Sequence, residues 1–429
     1  MIKSLTLTNF KSYAKATLHF SPITVIVGAN ASGKSNAFEA IRLLSWLAQG
    51  HKLSSLQYTI NQSNQVIRGQ IPDLARFGQE KFSLSCQLAF EQKRVQFSST
   101  LELREGGDLH FCQEKCFYED VLLYETVAAS VGSSTDAKIK YNNFKKGGKK
   151  PHLTISDQQP AFLQLQSPVY FDKNHEKAQQ LIPWIGKEIE KNLAEVIFID
   201  PQPQQMRGYS FLTDNRIESN GRNLSAVLHH IWSQNEAVKN RLLDFVKSLP
   251  EQDIQSLDFL RGPKNEVMIV LIEMFGNQER KIDAGLLSDG TLRILAIAAA
   301  LLSAPRGSIV VIEELDNGIH PSRAKHLLSS IYQITQEREL SLLISSHNPA
   351  LLDALPWEVV PTITFCYRDK NDGSSCLTNL SEIADYPALL SQGTIGELLT
   401  QGLIDKFVKN PLSKEKKVEQ ALEWLHGLK

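Results

Sequence analysis

Residues 28–35, Gly-Ala-Asn-Ala-Ser-Gly-Lys-Ser, match the pattern of a phosphate-binding loop in full. Such a loop is a cradle: its backbone N–H groups point inward, and a helix N-terminus adds partial positive charge. Gly28, Asn30, Ser32, Gly33 and Asn36 would shape the cradle for a nucleotide's phosphates. Lys34 would reach the β/γ-phosphates, and the Ser35 hydroxyl would ligate Mg2+. A second chemical pair, Glu313-Glu314, closes the apolar run Ile309–Ile312. Consecutive strand residues point opposite ways, so Glu313 can face the metal shell while Glu314 polarises the attacking water. This second run is expected directly beside the strand that enters the phosphate loop. The bland alternatives are an accidental glycine turn and a solvated acidic turn. Finding both motifs in one chain argues for the chemistry.

The surrounding elements fit that task. Ile23–Val27 is short, apolar and β-branched, as a buried central strand is. After the loop, Ala37, Ile41, Leu44 and Ala48 fall on one helical face, and Gly50 is placed to end the helix. Alternating patterns predict strands around Leu5–Leu7, Ala16–Phe20 and 82–117. Further on, strands are expected at Val196–Asp200, Val267–Phe275, Ile309–Ile312 and Leu340–Ser345. Helices are expected over Leu224–Leu249, from Thr291, over Pro321–Gln336 and over Lys414–Leu428. Strands alternating with helices predict an α/β fold with a mixed, largely parallel core sheet.

Composition sets outer limits. The chain has 429 residues, with 46 Lys+Arg against 47 Asp+Glu, a formal net charge of -1. That balance excludes coating nucleic acid through bulk charge. Hydrophobic residues at 42 % and charged residues at 22 % exclude a mainly disordered chain. The most apolar run, Ile294–Leu302, is too short to span a membrane, so no membrane partner is expected. The start has no apolar signal core, and the five cysteines are sparse, which predicts reduced thiols in a cytoplasm. His110, Cys112 and Cys116 offer a poor zinc spacing. The basic stretch Lys138–Lys150 reads as an exposed, mobile loop, with Tyr141 and Phe144 as candidates for stacking on bases.

With these pieces in place, the sequence resembles the ABC-type ATPases of the SMC/RecF/OLD group. The opening Ile2–Ser12 looks like that group's first strand, and Leu287-Ser288-Asp289-Gly290-Thr291 looks like its signature. Asn317–Pro321 looks like its dimer-contact loop, and Leu342–His347 like the strand carrying its switch histidine. The resemblance implies a P-loop ATPase head with N-terminal antiparallel strands and a helical lobe. It further implies a head-to-tail dimer, in which Ser288 and Gly290 cap the phosphate held by the other subunit's Lys34 and Ser35. Glu314 would act as base and His347 would sense the phosphate. Gln202 is the candidate for the group's glutamine loop, beside the nucleotide and its metal. Two departures stand out: Glu313 replaces the usual Asp, and the glutamine loop is not clear.

The expected divisions are an ATPase lobe at 1–117, an insertion at 118–195, a helical lobe at 196–290, a second ATPase lobe at 291–360 and a tail at 361–429. The interval between the lobes carries no heptads and no Cys-x-x-Cys hook, and no TOPRIM-type carboxylate site follows His347. Asp369 and Asp372 read as solvated turn residues. Gly393–Gly402 looks like a segment of prokaryotic OLD-like defence ATPases. By analogy with the family it resembles, the chain is expected to be a stand-alone ATPase sensor or scaffold of an anti-phage or anti-plasmid system, controlling a separately encoded nuclease. Local contact with DNA or a phage protein is a secondary expectation. The alternatives are a RecF-like repair clamp and an ATP-binding scaffold with negligible turnover.

Overall fold

A computed structural model of the chain describes residues 1–61, 66–247, 254–276, 278–316, 321–383 and 386–409. The expected dimer-contact residues 317–320 and the expected helix at 414–428 lie outside the described residues. The first nine strands are β1 (Ile2–Phe10), β2 (Tyr13–His19), β3 (Ile23–Val27), β4 (Lys81–Phe90), β5 (Lys93–Leu103), β6 (Leu109–Tyr118), β7 (Val121–Ala128), β8 (Asp136–Tyr141) and β9 (His152–Ser156). The rest are β10 (Ile197–Ile199), β11 (Ser210–Phe211), β12 (Ile254–Gly262), β13 (Glu266–Phe275), β14 (Gln278–Asp283), β15 (Ile309–Ile312), β16 (Ser341–Ser345), β17 (Thr364–Arg368) and β18 (Ser375–Asn379).

The central sheet runs β10-β15-β16-β3-β17-β18, parallel except for the closing antiparallel strand. All residues of β3, β15 and β16 are buried, as expected of strands covered on both faces. Alternation along each strand splits the core in two. Val25, Val310 and Leu342 face one cluster with the Leu224–Trp232 and Asp289–Ser303 helices. Ile26, Val311 and Leu343 face the other, with the Lys34–Ala48 helix and the long antiparallel sheet.

That second sheet has eight strands, in the order β2-β1-β4-β5-β6-β7-β8-β9. Its membership redraws the expected divisions. Residues 118–195 are no separate insertion, because β7, β8 and β9 continue the ladder that β6 begins. The Glu176–Ala194 helix then packs against Lys34–Ala48. Likewise, 361–379 is no peripheral tail, since β17 pairs directly with β3. The helical lobe also holds a small antiparallel sheet, β11-β13-β12 with β14 beside β13.

Two further expectations are corrected. β15 is not next to β3; β16 lies between them, because it bonds to both. The basic stretch is not one mobile loop either. Lys138–Tyr141 is strand, and Lys150 Nζ ties back to Asn142 Oδ1 at 3.1 Å and Asn143 Oδ1 at 2.9 Å. Tyr141 is 2 % exposed and stands edge-on to Phe171, so it has no free face for a base. Phe144 is half-buried, with Lys177 Nζ 4.7 Å above its ring.

Candidate active site

The buried strand β3 ends at Val27, and the helix begins at Lys34. Between them the chain turns through positive φ at Gly28 (150°), Ala31 (62°) and Gly33 (120°). The two glycines are required by space as well as by φ. A Cβ on Gly28 would sit 2.1 Å from the Cys366 carbonyl oxygen, and one on Gly33 would sit 2.2 Å from Ser375 Oγ. Ser32 is buried, while Asn30 is exposed and Ser35 and Asn36 lie half-exposed in the first helical turn. Lys34 Nζ donates to the carbonyls of Gly28 (2.8 Å) and Ala29 (3.0 Å). Burial lowers the Lys34 ammonium pKa, and the nearby Glu314 and Asp316 carboxylates oppose that shift. Residues far apart in sequence therefore share one electrostatic neighbourhood.

Glu313 and Glu314 lie just beyond β15, in different surroundings. Glu313 is partly buried, and burial raises its carboxyl pKa; Arg42, 3.5 Å away, pulls the other way. Asp200 and Glu39 add negative charge beside it. Glu314 is exposed at φ 52°, an uncommon conformation for a residue with a Cβ. Its N–H donates to Ser345 Oγ at 3.0 Å, and the Leu315 N–H donates to the Ser345 carbonyl at 3.1 Å. The end of β16 thus holds the backbone of Glu314 and Leu315 in place.

Two residues after β16, His347 has its Nδ1 3.7 Å from Asp316 Oδ2. Asp316 is a residue the sequence reading missed. Its side chain is only 6 % exposed, and Oδ1 has no hydrogen-bond partner among the described residues. An acid two positions beyond Glu314 and just before Asn317-Gly318 was the available signal. Glu39 was missed as well. It is buried in the helix after the loop and paired with Lys11 and Arg68. Its place within an otherwise apolar helical face was the hint.

Ser35 and Glu313 are hard oxygen donors of the kind Mg2+ takes. Around Glu313 the cations Arg42 and Arg68 outweigh the nearby carboxylates Asp200 and Glu39. Gln202 follows β10, the neighbour of β15, and is exposed; its N–H donates to the Asn220 carbonyl at 2.9 Å. Among the described residues, no group of three or more His, Cys, Asp or Glu could hold a metal ion. His110 instead sits 2.8 Å from Asp157 Oδ2.

The signature residues form a helix start. Ser288 is the N-cap of the Asp289–Ser303 helix, its Oγ accepting from the Thr291 N–H at 3.1 Å. Gly290 lies in the first turn. Arg207, five residues after Gln202, holds this loop from outside. It donates to the carbonyls of Gly285 (2.9 Å) and Leu287 (2.6 Å) and to Asp289 Oδ1 (2.6 Å). Among the described residues no hydrogen bond or ion pair joins Ser288–Gly290 to the chain's own residues 28–36.

The segment 393–402 packs on the helix that follows His347. Gly396 N–H donates to Asp353 Oδ1 at 2.7 Å, and a Cβ there would sit 2.5 Å from the Pro349 carbonyl oxygen. Asp372 is not simply solvated, since Arg76 Nη2 lies 2.8 Å from its Oδ2.

A family profile described as "AAA domain, putative AbiEii toxin, Type IV TA system" matches residues 23–353. An ATP/GTP phosphatase of Helicobacter pylori is 20% identical over 386 residues, covering 86% of this chain and 91% of that protein. A Retron Vc95 probable ATPase of Vibrio cholerae is 22% identical over 390 residues, covering 84% and 73%. A 55-residue stretch is 44% identical to the DNA replication and repair protein RecF of Bacillus velezensis, 13% of this chain and 15% of that one. Among solved structures, an SMC head bound to the C-winged helix domain of ScpA superposes with a TM-score of 0.49 at 14% identity, covering 88% of this chain and 96% of that one.

Proposed function

From the premise that the chain belongs to this AAA-domain family and is a P-loop ATPase of the SMC/RecF-like type, we propose that ATP switches it between separate and paired heads. The pairing is head to tail. Ser288 and Gly290 of one copy close over the phosphates held by Lys34 and Ser35 of another. Mg2+, held by Ser35 and Glu313 with Gln202 alongside, would supply charge neutralisation at the β/γ-phosphates. Glu314 orients and deprotonates the attacking water, and His347, steadied by Asp316, reports the γ-phosphate. The observation that carries the reading is the electrostatic proximity of Lys34, which follows β3, to Glu314 and Asp316, which follow β15, across the end of β16.

The same reading makes the protein the ATP-dependent sensor or scaffold of a prokaryotic defence system. The family description and the retron ATPase support that role. Its output would be a separately encoded nuclease. No helix among them is long and apolar enough to cross a membrane. The short RecF-like stretch keeps a DNA clamp as the second reading.

The test is co-expression with the adjacent gene, followed by mass measurement with and without ATP. A Glu314→Gln variant should bind ATP, fail to hydrolyse it and stay paired. Normal hydrolysis by that variant would remove Glu314 from its role. Strong stimulation of turnover by duplex DNA, without a co-purifying partner, would favour the clamp.

A further inference from the structure

The phosphate loop is held from outside by a part of the chain that lies beyond the matched family region. Arg368 Nε, at the end of β17, donates to the Ala31 carbonyl at 3.0 Å. Ser375 Oγ, at the start of β18, donates to the Ser32 carbonyl. Tyr13 Oη, at the start of β2, donates to the Gly33 carbonyl at 3.0 Å. Three successive carbonyls are thus each held by a side chain remote in sequence. Ser375 and Tyr13 are fully buried. Ser375 Oγ also lies 2.7 Å from Ser12 Oγ, which accepts from Asn36 Nδ2 at 2.7 Å. The Ser375 N–H donates to the Ser12 carbonyl at 2.8 Å.

The consequence follows from peptide geometry. In a planar trans peptide, C=O and N–H point in opposite directions. Holding the Ser32 carbonyl outward therefore aims the Gly33 N–H into the loop. Holding the Gly33 carbonyl aims the Lys34 N–H the same way. The Ser32 N–H is already spent on the Ala29 carbonyl at 3.2 Å. Gly33 and Lys34 are thus the donors whose direction matters for a phosphate. We propose that Ser375 and Tyr13, with Arg368 at the rim, are positioning residues that preset these two N–H groups for phosphate. The β17–β18 hairpin belongs to the nucleotide site although it touches no substrate.

The two bonds are not equal. The Gly33 carbonyl also accepts from the Asn36 N–H (2.9 Å) and the Ala37 N–H (3.3 Å). The Ser32 carbonyl has Ser375 as its donor. Loss of Ser375 should accordingly be felt more.

The test uses steady-state ATP hydrolysis by the full chain. Ser375→Ala and Tyr13→Phe each remove one oxygen and keep the packing. Ser375→Ala should raise KM for ATP about tenfold and Tyr13→Phe about threefold, as expected for one partly compensated hydrogen bond. Saturated kcat should stay within about twofold for both. Asp372→Asn weakens the Arg76 pair in the turn between Arg368 and Ser375, while an Asn oxygen can still accept the Ser374 N–H and the phosphate loop itself is not touched. It should lower the melting temperature but leave KM unchanged. An unchanged KM in Ser375→Ala, or an equal rise in Asp372→Asn, overturns the proposal. The inference rests on residues 28–35 being the phosphate site. Lys34→Ala in the same assay tells the two apart, since intact ATP binding there overturns the site itself and the brace with it.

Discussion

The phosphate loop and the signature loop are both glycine-containing turns that open a buried helix, yet they are held in opposite ways. The phosphate loop is gripped from β2, β17 and β18, and its N–H groups are fixed before any ligand arrives. The signature loop spends its serine on its own helix cap. Arg207 ties it to the segment after Gln202, while Leu286 beside it stands 75 % exposed. One site is assembled within the chain. The other is presented at a surface, in the form a second head would meet it.

That contrast can be broken from either side. The largest effect should come from Lys34→Ala, which removes the cation of the braced site. ATP affinity should fall on the order of 100-fold, as for loss of a charge-assisted contact, and equilibrium binding checks it. Next comes Arg207→Met, which frees the presented loop without touching the braced one. Turnover should drop at least about tenfold, since three hydrogen bonds from one guanidinium to the loop are lost, while the affinity of the isolated head for ATP stays unchanged. A matching loss of affinity would mean that the two loops are not held independently.

The smallest effect on activity should come from Glu114→Gln, deep in the antiparallel sheet that supports the braced side. Burial pushes the Glu114 carboxyl up to about 7, although the Ala161 N–H (3.0 Å) and the Tyr124 hydroxyl (3.1 Å) both donate to it. Its folded pKa lies above its unfolded one, so between about 4.5 and 7 the folded state binds more protons. Stability therefore falls as pH rises through that window. Gln mimics the protonated acid. The melting temperature of Glu114→Gln should gain on the wild type from pH 5 to pH 8, with ATP turnover unmoved. A constant difference would show that Glu114 does not titrate there.

Much of this was legible because short-range patterns dictate it. Ile23–Val27 and Ile309–Ile312 are uninterrupted β-branched runs, and such runs become strands buried on both faces. The Gly28–Ser35 spacing is fixed by a turn that tolerates few alternatives. The order of strands was not legible. Nothing in Leu342–Ser345 announces that it slips between β3 and β15, since parallel pairing depends on crossovers rather than on the strand itself. The brace was hidden for the same reason. Ser375 lies more than three hundred residues from Ser32, and a lone serine in a Gly/Ser-rich turn carries no pattern. Asp316 and Glu39 were obscured by single-residue context, because an isolated acid in sequence looks solvated until packing encloses it.

The position of β16 has one more consequence. Neighbouring strands lie about 4.8 Å apart, so a strand between β3 and β15 sets their ends roughly 10 Å from each other. The end of β16 is the single rung between them. The Ser346 N–H reaches one side, at the Ile26 carbonyl (3.3 Å), and Ser345 Oγ receives the Glu314 N–H from the other. A shift of that rung by a fraction of an ångström would change the spacing of both sides at once.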